Sequence, residues 1–268
     1  ILYRPTGESG DFEKANFPIG VEGGKTSTCP TQNLMEAYDM KDGTPFVWNN
    51  QSNPYDNRDP RMKYTIVCNE MKWPVDPVEI WEGGTNGLPL QNATTTGYYL
   101  KKYVNNTISF EAGSTVTKKQ HNWVLFRYGE ILLNYAEAMI NAFHDPNYKD
   151  AVYNMSAREA VNQIRGRTNI SLPGFPSDIT EKDFVKRLKN ERRVELAFEG
   201  HRFWDVRRWK ELGQTANIYG VKITKNNEVI SYEKFLLETR AVTDNMYFYP
   251  IPNTERFKNP NLGQNPGW

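Results

Sequence analysis

Residues Asn190 to Trp209 read NERRVELAFEGHRFWDVRRW. Glu191, Glu195 and Glu199 recur every four residues, the spacing that puts side chains on one face of an α-helix, where unpaired carboxylates repel. Arg192, Arg193, Arg202, Arg207 and Arg208 stand near enough in the chain to offset that charge by bidentate pairing. With His201 among them, the segment offers the groups that acid–base catalysis uses. Five guanidiniums, however, hold nearby carboxylates ionised, the wrong state for a general acid. The stretch therefore reads as a partly buried ion-pair network that fixes how helices cross, with Glu191, Arg192, Glu195, Glu199 and Arg202 as members.

Working outward, Thr180 stands as the N-cap of the helix that carries this network, with Asp183 in the capping-box position. The pattern predicts a helix through Phe184 and Leu188 to the Gly200 region, resumed to Leu212 and stopped at Gly213. Upstream, Leu125, Tyr128, Leu132, Tyr135 and Met139 form one amphipathic stripe. After a break at His144-Asp145-Pro146-Asn147, Ala157, Val161 and Ile164 continue at helical spacing. A helix pair of this size is the unit of a tetratricopeptide repeat (about 34 residues), which cannot hide its apolar face alone. Only one copy is visible, and the chain begins Ile1-Leu2-Tyr3-Arg4 without an initiator Met. The expectation is that an N-terminal half carrying further repeats is absent.

Toward the front, Thr31 predicts a short helix with Leu34, Met35 and Tyr38 on its apolar side, ending near Gly43. Residues 46–121 are rich in Gly, Pro, Asn and Asp turn signals, with strand-like pieces at Tyr64 to Cys68 and Tyr98 to Val104. Residues 122–212 form the helical scaffold. Residues 213–268 read as a polar stretch followed by an extended strap packed on the body, closing in YPIPNTERFKNPNLGQNPGW from Tyr249. The fold class is mainly α, with long loop-rich regions and short strands.

Composition narrows function. The 268 residues carry 33 basic and 32 acidic side chains, a net charge of +1, with no long block of one sign. Nucleic-acid binding needs a concentrated basic face and is not expected. No apolar run approaches the roughly 18–20 residues that span a bilayer. Mean hydropathy is low at −0.72, yet aromatics reach 13%, enough to fold a loop-rich chain. Cys29 and Cys68 cannot make a zinc site by themselves; an oxidising compartment would permit a bridge only if they face each other. His121, His144 and His201 are scattered without metal-ligand spacing, and neither metal nor cofactor is expected.

The loop region differs. Trp48, Tyr55, Trp73, Trp81, Tyr98 and Tyr99 sit among Asn49, Asn50, Asn53, Asp56, Asn57, Asp76, Glu79, Glu82, Asn86 and Gln91. A sugar presents an apolar C–H face and a rim of hydroxyls, which a rigid ring beside amides and carboxylates can meet. Each ring has a plainer role, plugging gaps between loops. The candidate glycan contacts are Trp73 and Trp81 first, then Trp48, Tyr55 and Tyr98, with Asn53 and Asp76 for hydroxyls.

Several strings in order carry a wider likeness: PTQNLMEAYDMKDG from Pro30, NRDPRMKYTI from Asn57, TGYYLKKYV from Thr96, FRYGEILLNYAEAMI from Phe126, AVNQIRGRTNI from Ala160, the Asn190–Trp209 stretch, and the closing YPIP…NPNLGQNPGW. The chain resembles the C-terminal part of the SusD/RagB family. That resemblance implies a surface glycan-binding lipoprotein of the outer membrane, held by a lipid anchor outside this chain. It also implies a partner, a SusC-like TonB-dependent transporter that receives the oligosaccharide or polysaccharide, and no catalytic residues. Sugar contacts vary within the family, so none is assigned by motif. Two other functions compete: a glycoside hydrolase built on loop carboxylates such as Asp76 and Glu82, which would have to stand about 5–9 Å apart, and a protein-interaction scaffold built on the helix pair.

Overall fold

A computed structural model describes residues 1–49, 53–111 and 117–268. Asn50, one of the loop amides named above, lies outside the described residues. In chain order the elements are β1 (Leu2–Ser9), α1 (Asp11–Asn16), α2 (Gln32–Met35), α3 (Pro60–Thr65), β2 (Ile66–Val67), β3 (Tyr99–Leu100), β4 (Lys119–Phe126), α4 (Tyr128–Phe143), α5 (Ala157–Arg165), α6 (Glu181–Glu195), α7 (Arg202–Arg208), β5 (Asn217–Asn226), β6 (Val229–Thr239) and α8 (Asn253–Lys258). The strands form three antiparallel two-stranded ribbons, β1 with β4, β2 with β3, and β5 with β6.

Two apolar cores result. One lies among α4, α5 and α6, where Leu133, Ala136, Ile140, Ala160, Val161, Ile164 and Phe184 are buried. The other lies under the loops, where Met35, Tyr38, Met62, Ile66, Tyr98 and Tyr99 meet Val221, Ile223 and Tyr232 of the β5–β6 hairpin. The starts of α2, α3, α5 and α6 follow side-chain capping chemistry. Thr31 Oγ1 accepts from Leu34 N at 3.3 Å, and Thr180 Oγ1 accepts from Asp183 N at 3.2 Å. Ser156 and Glu159 complete a reciprocal capping box at α5.

Several sequence expectations are corrected. The helix after Thr31 is a single turn, because the Arg58 guanidinium donates to the carbonyls of Met35 and Tyr38, at 2.8 and 2.7 Å, and ends it well before Gly43. Tyr64 falls in α3 rather than in a strand, so the paired pieces shrink to β2 and β3. Leu125 belongs to β4, hydrogen-bonded to β1, and Tyr128 at the start of α4 is 64% exposed. The buried face of α4 is Leu132, Leu133, Ala136, Met139 and Ile140. α6 stops at Glu195, before a turn in which Phe198 and Gly200 take φ of +60° and +83°.

The largest correction concerns residues 213–268. They do not form one strap. Residues 217–239 make the longest ribbon among the described residues, with Asn226 paired to Val229 across a turn in which Asn227 and Glu228 have φ of +46° and +65°. Two consecutive left-handed residues give the turn the twist that suits a two-residue hairpin. The last residues then fold partly on themselves. Trp268 Nε1 donates to Asn245 O at 2.9 Å, Gln264 bonds both backbone groups of Ile251, and Tyr249 stacks on Phe203 of α7 with centroids 5.8 Å apart.

Candidate functional site

The Asn190–Trp209 carboxylates are enclosed by arginines that arrive from elsewhere in the chain. Glu195 pairs with Arg61 at 2.9 Å, Arg127 at 2.6 Å and Arg167 at 2.8 Å, and its side chain is 2% exposed. Glu191 takes Arg165 at 2.7 Å and also Arg61; Glu199 takes Arg127 at 2.7 Å and Lys102 at 2.6 Å. Arg192 pairs with Asp205 at 2.9 Å. Burial pushes the Glu195 carboxyl up, but Arg61, Arg127 and Arg167 outweigh it and bring it down to about 2. Glu191 and Glu199 are held below the usual carboxylate range by the same opposition of burial and guanidinium charge. A cavity of about 470 Å³ opens beside Glu195 and Glu199, and Arg61, Lys102, Arg127 and Arg167 line it too.

Arg202 departs from the expected network. It donates to Gln214 Oε1 at 2.9 Å and forms no ion pair among the described residues. The turn at Phe198–Gly200 breaks the helical phase that the spacing implies, and Arg202, at the start of α7, pairs with neither Glu195 nor Glu199. Arg193 likewise donates to the Asn33 carbonyl, and Arg207 lies over the Phe203 ring at 3.5 Å. His201 approaches Glu130 at 3.6 Å. Among the described residues no group of three or more His, Cys, Asp or Glu is placed to hold a metal. Cys29 and Cys68 are not bridged.

The loop aromatics divide by burial. Tyr98 is fully buried and its hydroxyl donates to Gln32 Oε1 at 2.5 Å; Tyr55 packs edge-on against Tyr98 and Tyr232; Trp73 is 6% exposed. These three rings fill the core under the loops and offer no open face, which corrects their expected place on a surface. Trp48 and Trp81 are partly buried at the edge of the same core. Trp48 meets Phe46 edge-on at 6.4 Å, and Lys225 Nζ sits 4.8 Å from the Trp81 ring. Asn53 and Asp76 are exposed. Asn53 caps the Tyr55 N–H at 3.0 Å, and Asp76 closes the tight turn from Trp73.

Sequence reasoning missed what the hairpin does to this face. Glu82 N donates to Ile223 O at 2.9 Å, and Val221 N donates to Thr96 O at 3.0 Å, so the 80–97 loop is laid along β5. Between them is a cavity of about 240 Å³ with Ile80, Leu88, Val221, Ile223 and Phe235 as its apolar lining and Thr94, Thr95, Glu82 and Lys222 as its polar groups. The volume falls below the roughly 300–1,000 Å³ of drug-sized ligand sites and suits a single small ring. Glu82 pairs with Lys222 at 3.3 Å, both about half exposed. Asp76 does not line this cavity. Alternating hydrophobicity around Asn226-Asn227-Glu228 was the signal that would have found the hairpin.

A family model described as the SusD family matches residues 6–268. SusD-like protein P2 of Formosa agariphila is 29% identical over 163 residues, 59% of this chain and 28% of that protein. A SusD-like protein of Bacteroides fragilis, solved by crystallography, superposes with a TM-score of 0.81 at 26% identity, over 100% of this chain and 54% of its own. A second B. fragilis crystal structure, described as a SusD-like carbohydrate binding protein, gives a TM-score of 0.76 at 24% identity, over 98% of this chain and 54% of its own. The chain thus spans about half the length of these solved relatives.

Proposed function

The chain belongs to the SusD family, and from that premise we propose that it forms part of a non-catalytic cell-surface protein that binds an oligosaccharide or polysaccharide on its loop-rich face. One observation carries the proposal: Trp48 and Trp81 remain partly open at the edge of a core that the other candidate rings fill, and the loop carrying Trp81 walls a small cavity with an apolar floor and a polar rim. An indole edge or face meets the C–H side of a pyranose, while Thr94, Thr95, Glu82 and Lys222 offer donors and acceptors to hydroxyls. The same reading has the glycan passed to a SusC-like TonB-dependent transporter in the outer membrane. The α4–α5 pair would serve as a tetratricopeptide-type unit toward that partner. The hydrolase reading is disfavoured because Asp76 and Glu82 do not share a cavity, and Glu82 is engaged by Lys222.

Calorimetry with a panel of oligosaccharides is expected to give micromolar dissociation constants, because a carrier must release its cargo. Trp48→Ala and Trp81→Ala should each weaken binding by about five- to thirtyfold, ~1–2 kcal/mol. Prolonged incubation should yield no new reducing ends. Sustained turnover, or full affinity in both variants, would overturn the proposal.

A further inference from the structure

Lys182, Lys186, Lys189 and Arg193 stand 4, 3 and 4 residues apart on α6 and so share one face of the helix. That face lines a cavity of about 460 Å³, closed on its other sides by Glu36, Asp39 and Phe46 of the loop after α2 and by Arg202, Glu211 and Gln214. Four carboxylates reach the wall, and each is already engaged. Glu36 holds Lys234 at 2.8 Å, Asp39 holds Arg165 at 3.2 Å, Glu191 holds Arg165 at 2.7 Å, and Glu211 holds Lys189. Among the described residues, Lys182, Lys186, Arg193 and Arg202 of the same wall pair with no carboxylate.

The two arginines matter most. Arg193 donates to the Asn33 carbonyl at 2.9 Å and Arg202 to Gln214 Oε1 at 2.9 Å, so most of their donors are left over. Burial, with Arg202 adding to it, lowers the Arg193 guanidinium to about 10. Arg61 is the contrast: burial opposes its charge too, but Glu191 and Asp59 hold it well above the usual value. Partly desolvated cations facing one another are costly unless an anion joins them.

We propose that this cavity binds the carboxylate or sulfate group of an acidic saccharide. Arg193 and Arg202 donate to the anion, Lys182 and Lys186 attract it from the rim, and Phe46, with Trp48 edge-on behind it, is the apolar wall beside the sugar. The inference rests on the carbohydrate-binding reading above and adds the charge class of the ligand.

The test titrates the purified chain by calorimetry with hexagalacturonate, a sulfated cellohexaose and neutral cellohexaose, at about 0.05 M and about 0.3 M salt. At least one acidic hexamer is expected to bind more tightly than the neutral one and to weaken as salt rises; which of the two binds distinguishes carboxylate from sulfate. Lys182→Ala combined with Lys186→Ala, both exposed positions on which the fold does not depend, should weaken the acidic hexamer about tenfold. Arg202→Gln should do the same, with an unchanged melting temperature showing that the fold is kept. Acidic hexamers that bind no better than the neutral one, or equally well in both variants, overturn the inference and leave the carbohydrate reading standing. Failure of all three saccharides to bind overturns the inference too, and the carbohydrate reading falls only if the wider oligosaccharide panel also fails to bind.

Discussion

Glu195 shows how a single residue sets the character of its surroundings. Three guanidiniums converge on one carboxylate whose side chain is 2% exposed. Removing the negative charge would break all three pairs at once and leave the largely buried Arg61 and Arg127 with fewer counter-charges than they are desolvated for. Glu195→Gln is therefore expected to destabilise the chain by about 3–5 kcal/mol, measured by denaturant unfolding. The pH dependence follows from the direction of the shift. The folded carboxyl lies near 2 against an ordinary value of 4.5, so its stabilisation is fully present above the ordinary value and is lost as pH falls through the folded one. Melting temperature should drop steeply between about pH 5 and pH 2, and less steeply in Glu195→Gln. A flat profile would show that the network does not hold the fold. Trp73 and Trp81 separate at this scale too. Trp73→Ala should cost about 3–5 kcal/mol of stability through the core, whereas Trp81→Ala should act mainly on saccharide affinity. Eight residues apart in loops of similar composition, the two indoles look alike in sequence; only the packing of the 66–100 segment against the hairpin tells them apart.

At the scale of elements, the hairpin organises the candidate face. Gly97, at φ +81°, brings the Thr94–Thr96 backbone onto β5, and a Cβ there would lie 2.4 Å from Val221 O. Gly97→Ala meets both a backbone clash and a left-handed conformation, so it should lower the melting temperature and abolish saccharide affinity together. Loss of neither would remove the 80–97 loop from the site. The α2, α4, α5 and α6 positions were legible because they rest on local chemistry: Thr31 and Thr180 cap, and Ala157, Val161 and Ile164 face the core; the short helices α1, α3 and α8 were not. The β5–β6 hairpin was legible only through the alternation of its strands, since its Asn227-Glu228 turn lacks the glycine that usually marks one. β1 and β4 were hidden for another reason: they pair across more than a hundred residues, and neither alternates cleanly.

Across the whole molecule, charge is divided into two populations. One is spent internally, where Arg61, Arg127, Arg165 and Arg167 neutralise the glutamates of α6 and the turn that follows it. Its partners lie too far apart in the chain for sequence spacing to reveal them, although the glutamate repeat itself was plain. The other, Lys182, Lys186, Arg193 and Arg202, lines the cavity beside α6 and forms no ion pair among the described residues. The loop face with its two partly buried indoles completes the proposed division: an ionic frame carrying a surface that, on the reading proposed above, holds sugar without changing it. The most direct measurement is the crystal structure of the chain soaked with a saccharide it binds. Intact saccharide should appear against Trp48 or Trp81; density lodged between Glu195 and His201, or a cleaved product, would contradict that division of labour.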